Sequence, residues 1–414
     1  MERADVVVVG AGAAGLMAAI FAARAGADTL LLERTKDGGR KILISGGGRC
    51  NVLPGTFQPD EYVTDSSPNS LRRILRSWPL ADQRRFFEED LGIGLKHEED
   101  GDKLFPVSDR AREVRDALVS SVRSAGGRIH FERTVAEILW TEGEGWAVRV
   151  SEGSDYRARC VVLATGGLSV PATGSDGRGI AWARALGHVV NPTYPALTPL
   201  TANPTPHQHL AGVSVDAVVT ARSSRHQRTA RGGFLFTHRG YSGPVVLDVS
   251  HVAVRSLAEG GERATVTVDW TGEGTEPWRE RLAPGPRTVV GVLGRHLPQR
   301  LAAQLLSDSD VPEDRSLSQL RREERLELLD LLTRYPLPWS GDEGYRKAEV
   351  TGGGVALDQV DPKTLESRRV PRLYLCGEML DAFGPIGGHN FFWAWATGRA
   401  AGRAAGEACM AQLA

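Results

Sequence analysis

The run Gly10-Ala11-Gly12-Ala13-Ala14-Gly15 directly follows four valines, Val6–Val9. That spacing suits a cradle for nucleotide phosphates. Gly10 permits a tight turn, Gly12 lets the backbone approach a pyrophosphate, and Gly15 allows close helix packing. A helix starting at Ala13 and Ala14 would aim unpaired N–H groups and the positive end of its dipole at the phosphates. Glu33 stands 18 positions beyond Gly15, where a carboxylate can accept hydrogen bonds from the ribose of an adenosine. Arg34 follows it as a further contact.

A second glycine-rich segment, Gly387-Gly388-His389-Asn390-Phe391, lies near the other end of the chain. It reads as a helix start whose N–H groups face the pyrimidine edge of a flavin. That edge gains negative charge on two-electron reduction, which a helix N-terminus stabilises. The competing reading is a simple helix cap by Asn390. Upstream lie Gly377, Glu378 and Asp381, after an apolar strand. An acid there can bind ribityl hydroxyls, which a nicotinamide dinucleotide lacks. Asp381 is the first choice and Glu378 the second, with solvated loop acids as the alternative.

Three more segments belong with these. Gly38-Gly39-Arg40-Lys41 and Ser45–Asn51 combine flexible glycines with cations and suit wrapping of an anionic cofactor, with Gly47, Cys50 and Asn51 in contact. Cys50 has no His partner in sequence and reads as a small packed residue. Ala164-Thr165-Gly166-Gly167 ends a strand and would lie beside the dinucleotide, as would Val135. Together these residues specify one FAD. No second GxGxxG follows a strand, so electrons would pass to oxygen or come from a transiently docked NAD(P)H.

The elements that must position these residues are also legible. Val6–Val9, Ala13–Ala25 and Thr29–Leu32 form a βαβ unit closed by Glu33. Helices are expected over 69–95 and Arg112–Ser124, and strands over Arg128–Phe131, Val135–Trp140, Trp146–Val150 and Tyr156–Leu163. Proline crowding in Asn191–His209 marks an exit from the first domain; His207 and His209 read there as a solvated turn. Val213–Thr220, Phe234–Thr237, Val245–Val249 and Ala264–Trp270 read as strands, and 288–334 as helical. A small-residue helix over Asn390–Ala408, with Trp393 and Trp395 packed inside, closes the chain. The expected fold is α/β: a discontinuous FAD-binding Rossmann-like domain (1–194 and 341–414) carrying an inserted β-barrel (about 195–285) and helical part (about 286–340).

Bulk properties exclude several classes. The 50 Lys and Arg residues balance 51 Asp and Glu, for a net charge of −1. That argues against a strongly electrostatic surface for nucleic acid, DNA or RNA, and leaves only local basic patches open. Arg222, Arg225, Arg228 and Arg231 are a local basic cluster, but their spacing suits no single face. The 4 cysteines form no CxxC pair, so a dithiol centre is not expected. The scattered histidines lack metal-ligand spacing. No stretch reads as a signal peptide or membrane span, so a cytoplasmic protein is expected.

The chain resembles the aminoacetone-oxidase-like and BaiN-like FAD-dependent oxidoreductases of bacteria over nearly its whole length. Besides the segments above, the resemblance rests on Leu104-Phe105-Pro106, Pro171, Gly187-His188, Pro195-Ala196-Leu197, Leu235–His238, Ser242-Gly243-Pro244, Val350-Thr351 and Gly353–Val355. It implies FAD and the split fold. Members act on small amino ketones, steroid-like enones or a ribosomal uridine base. The family usually carries Tyr at the position of His389, Leu-Gln at Phe391-Phe392 and Glu at Gly233. The expected activity is oxidation of a small nitrogen-containing metabolite at a C–N or N–N bond, with hydride passing to flavin N5 and oxygen as acceptor. The alternative is an NAD(P)H-dependent reductase of an enone or an RNA uridine. A non-catalytic flavoprotein is the third possibility. His389 and Thr351 are the candidate catalytic residues, and Phe391-Phe392 joins them on the expected substrate wall.

Overall fold

The computed structural model describes residues 1–98, 102–258, 260 and 262–411. The chain divides into two units. One comprises Met1–Thr193 with Val350–Ala414, and the other Tyr194–Glu349.

The first unit is built on a seven-stranded sheet. β1 (Glu2–Val9), α1 (Ala13–Arg24) and β2 (Thr29–Leu32) form the βαβ unit. β3 (Arg128–His130), β4 (Val135–Thr141), β5 (Gly145–Val150), β6 (Tyr156–Leu163) and β7 (Leu373–Leu375) complete the sheet in the order β3-β2-β1-β6-β5-β4, with β7 also on β6. Val6–Val9 are all buried, as required of a parallel strand covered on both faces. β6 divides its unshared edge. Its first half pairs antiparallel with β5, and Val161–Leu163 pair parallel with β7. This is how a strand from the end of the chain reaches the sheet centre.

The register aligns the strand ends. Val9 faces both Leu32 and Leu163, and Leu163 faces Leu375. Gly10, Glu33, Ala164 and Cys376 are therefore the first residues past one common edge. Open α/β sheets bind ligands at this carboxyl edge.

The last helix, α2 (His389–Met410), runs parallel to α1. A Cβ on Gly398 would lie 2.3 Å from the Ala14 carbonyl oxygen, one on Gly402 2.1 Å from that of Ala18, and one on Gly406 2.8 Å from that of Ala22. Glycines four apart thus face alanines four apart, and the two backbones touch. α2 begins eight residues before its point of alignment with the start of α1, about 12 Å along the axis at 1.5 Å per residue. The sequence shows the small residues but not this offset. Trp393 and Trp395 are buried, donating to the carbonyls of Gly377 and Val52.

The second unit carries a seven-stranded sheet in the order Tyr335–Pro336, Thr265–Asp269, Ser214–Arg222, Gln227–Thr237, Gly240–Ser242, Leu200–Thr201 and Gly341–Asp342. Every pairing is antiparallel. Its end strands are consecutive in the chain. A flat sheet would hold them about 29 Å apart at 4.8 Å per strand, while the link from Pro336 to Gly341 spans at most about 19 Å. The sheet must therefore curl toward a barrel.

Two expectations fail in this unit. Val245–Val249 belongs to a helix, Pro244–Ala258, not a strand. Its buried positions Val245, Val246, Val249, Val252 and Ala253 recur at helical spacing, and Pro244 opens its first turn. The four valines masked that period. His207 is buried rather than solvated, with its ring nitrogens against the Tyr241 and Tyr335 hydroxyls at 2.9 and 2.8 Å. Helices Val289–Leu293, Gln299–Asp308 and Arg322–Thr333 fill the expected helical part. Among the described residues, no helix is long and apolar enough to cross a membrane.

Candidate cofactor site

The phosphate cradle has the geometry its glycines imply. Gly10 adopts φ +101°, and a Cβ there would lie 2.7 Å from the Ala164 carbonyl oxygen. A Cβ on Gly15 would lie 1.8 Å from that of Gly10. Gly12 differs, because a Cβ there would meet nothing within 4 Å. Its smallness serves no protein neighbour and leaves room in front of α1. No side chain caps this helix, so its first N–H groups, Ala13 and Ala14 included, have no intrahelical acceptor.

Glu33 closes β2 with both oxygens engaged. Oε2 accepts from the Ala11 N–H at 2.7 Å, and Oε1 from the Thr35 N–H and hydroxyl, each at 2.8 Å. It ties the strand end to the glycine turn. Arg34 pairs with Asp176, and Arg40 with Asp37 at 3.0 Å. The Val135 carbonyl accepts from Arg178. Gly46 and Gly47 both take left-handed conformations, and a Cβ on Gly47 would again meet open space. Cys50 is fully buried, and burial pushes its thiol up to about 12, so it packs and does not attack.

Among the described residues, the buried Asn51 Oδ1 and Thr165 Oγ1 have no hydrogen-bond partner. Each such atom costs about 1–3 kcal/mol if left unsatisfied. A cofactor lying along the carboxyl edge would offer partners. The open space at Gly12, the uncapped helix and these two atoms all fit FAD.

The acids behave differently from the first-choice assignment. Asp381 is only 2% exposed, and four protein donors converge on its Oδ2: the Thr64 and Ser66 hydroxyls, the Asp65 N–H and the Asn191 amide. It pins the 64–66 segment. Glu378 follows β7 and is partly exposed. It pairs with Lys41, and its Oε1 takes the Ser169 hydroxyl together with the N–H and hydroxyl of Thr351.

Thr351 is fully buried, and its hydroxyl also accepts from the N–H groups of Leu168 and Ser169 at 2.7 and 3.1 Å. It positions Glu378 and cannot form a substrate wall. Ser169 was missed; its place two residues past Gly167 was the available signal. These contacts predict that Asp381→Ala lowers stability by about 3 kcal/mol with FAD affinity kept. Glu378→Ala lowers FAD affinity with a smaller change in stability. Thermal unfolding of the apoprotein and FAD titration separate the two effects.

At the start of α2, Gly387 and Gly388 have φ +117° and +96°. A Cβ on Gly388 would lie 2.5 Å from the Leu53 carbonyl carbon, so the chain can press against Leu53–Pro54 only with glycine there. Gly388 is the N-cap and has no side chain to close the helix. The cap reading of Asn390 does not hold. Its carboxamide instead bridges the N–H and carbonyl of Gly384, at 2.9 and 3.0 Å. His389 is 7% exposed, with its carbonyl accepting from the Tyr62 hydroxyl at 2.8 Å. Phe391 stacks on Trp395 at 5.4 Å. Phe392 is fully buried against Phe57, which removes it from the expected substrate wall. Gly377 joins the two ends of the chain: a Cβ there would lie 2.8 Å from that of Ala14.

Comparison with known proteins agrees with this architecture. A ribosomal RNA dihydrouridine synthase of Escherichia coli (strain K12) is 35% identical over 405 residues, covering 96% of each chain. A 3-dehydro-bile acid delta(4,6)-reductase of Clostridium scindens is 34% identical over 410 residues, covering 97% of this chain and 98% of that one. The solved 3-ketosteroid-delta4-(5alpha)-dehydrogenase of Rhodococcus jostii RHA1 shares the fold with a TM-score of 0.50 at 19% identity, covering 98% of this chain and 97% of that one. The family described as HI0933-like protein Rossmann domain matches residues 4–404. The chain belongs to this HI0933-like family and is an FAD-dependent oxidoreductase.

Proposed function

We propose that this protein reduces a carbon–carbon double bond conjugated to a carbonyl, with electrons from NAD(P)H that docks transiently. The observation that carries this reading is the chemistry shared by its two full-length relatives. A delta(4,6) bond of a 3-oxo bile acid and the ring double bond of uridine are both conjugated to a carbonyl, and both relatives are named for saturating or altering that bond. The oxidase expectation shares every cofactor contact but has no comparable support. Among the described residues, the sheet of the second unit is antiparallel throughout, unlike the parallel βαβ units that bind nicotinamide dinucleotides.

Bound FAD supplies the two-electron chemistry. The N–H groups at the start of α1 would hold its pyrophosphate, and Glu33 would accept from the adenosine ribose with the acceptor capacity that Ala11 and Thr35 leave it. Lys41, Ser169 and Thr351 hold Glu378, the more exposed of the two acids, which would face the ribityl chain. The uncapped N–H groups at the start of α2 stabilise negative charge on the flavin ring. His389, the titratable side chain at that helix start, is assigned the proton delivered to the substrate.

The test is an anaerobic incubation of FAD-loaded protein with NADPH and a small cyclic enone. The expected product carries two added hydrogens by mass spectrometry, and one NADPH is consumed per product. An enone left intact, beside a small amine or hydrazine that is oxidised in air, would reverse the assignment.

A further inference from the structure

A second, strongly basic site lies away from the cofactor edge. The helix Pro68–Leu75 buries Leu71, Ile74 and Leu75 and turns the opposite face to solvent. That face and the turn after it carry Arg72, Arg73 and Arg76. Lys363 and Arg403 approach from separate segments, and all five cations line one cleft of about 480 Å³.

Their counter-charges are few. Arg72 pairs with Asp60, itself mostly exposed, and Arg403 reaches Glu407 at 3.7 Å. Among the described residues, Arg73, Arg76 and Lys363 have no acidic partner. Ser77 lines the same cleft, and its buried hydroxyl has no hydrogen-bond partner. The helix dipole accounts for some positive charge in a last turn, but not for Lys363 and Arg403 converging from elsewhere. Like charges at i,i+4, as at Arg72 and Arg76, weaken a helix.

We propose that this cleft is an exosite for the phosphate backbone of RNA. The proposal deepens the reductase reading, because a uridine base within RNA is one of the conjugated substrates that reading admits. Distance favours a chain over a single nucleotide. Arg403 lies 14 residues along α2 from His389, about 21 Å of helix. That is roughly six nucleotide steps at about 3.4 Å each. A ligand with its base at the start of α2 and a phosphate in the cleft must be a polymer. In the 222–231 hairpin, Arg231 already faces Asp216 at 3.5 Å.

The test uses FAD-loaded protein and a short uridine-rich RNA stem–loop, with affinity read by fluorescence anisotropy across a salt series. The variants are Arg73→Glu/Arg76→Glu and the neutral Arg73→Gln/Arg76→Gln. Both sit on an exposed helix face. The expected result is at least tenfold weaker RNA binding for the Glu pair. The Gln pair should flatten the slope of log affinity against log salt by nearly two. NADPH-driven reduction of the small enone should be unchanged in both. Equal RNA affinity in wild type and variants would overturn the exosite, whatever the enone result. So would tighter binding to phosphatidylserine vesicles, or equal competition by inorganic phosphate and by RNA. Failure of wild type to reduce the enone would sink the reductase chemistry but leave the binding result to stand by itself.

Discussion

Gly12→Val leaves this protein folded and strips it of FAD. Gly12 has φ −76°, which valine adopts without strain, and a Cβ there meets no protein atom within 4 Å. Stability should therefore change by under about 0.5 kcal/mol, as for a surface substitution. The added methyl groups occupy the space through which a pyrophosphate approaches the helix start. Losing those charge-assisted contacts should weaken FAD binding by about 100-fold or more, equivalent to ~3 kcal/mol. The control is Gly15→Val, whose Cβ falls 1.8 Å from the Gly10 carbonyl oxygen. That variant loses fold and cofactor together. Circular dichroism with FAD titration of both variants reads the difference. If Gly12→Val binds FAD like wild type, the cradle is misassigned.

Gly402→Val acts from the other end of the chain. Its Cβ would lie 2.1 Å from the Ala18 carbonyl oxygen and 2.6 Å from the Ala18 Cα. Both are backbone atoms of α1, so no rotamer change relieves the clash and the helices must separate. The expected cost is about 3 kcal/mol, or a melting temperature lower by roughly 6–12 °C. Separation also displaces the start of α2 relative to α1, so FAD affinity should fall although Gly402 touches no cofactor. Arg403→Ala, one residue on and exposed, should change neither. Equal melting of Gly402→Val and wild type would show that the parallel helix pair does not hold the two ends together.

Much of the site could be read from the sequence because its parts are local. A strand of four valines, a glycine turn and an acid 18 positions on are enough for the βαβ unit and for Glu33. Gly388 was also legible, since close approach and positive φ are properties of glycine itself. The choice between Glu378 and Asp381 was not. They lie three residues apart, Glu378 inside the turn Gly377–Met379 and Asp381 just past it. That turn sends one carboxylate to Lys41 and the other to the 64–66 segment. The burial of Thr351 and Phe392 is hidden in the sequence for the same reason: it is decided by distant segments, Leu168-Ser169 for one and Phe57 for the other. The alignment of α2 on α1 depends on pairing across nearly the whole chain. The small residues of Asn390–Ala408 are legible, but not that Gly398, Gly402 and Gly406 meet Ala14, Ala18 and Ala22.

The reductase we propose draws on NAD(P)H and gives its electrons to a conjugated double bond. The direct measurement follows the flavin absorbance of the loaded protein in an anaerobic stopped-flow cell. NADPH should bleach it rapidly, a conjugated enone should restore the colour, and air should restore it more slowly. Bleaching by a small amine or hydrazine but not by NADPH, with fast recovery in air, would make the protein an oxidase instead.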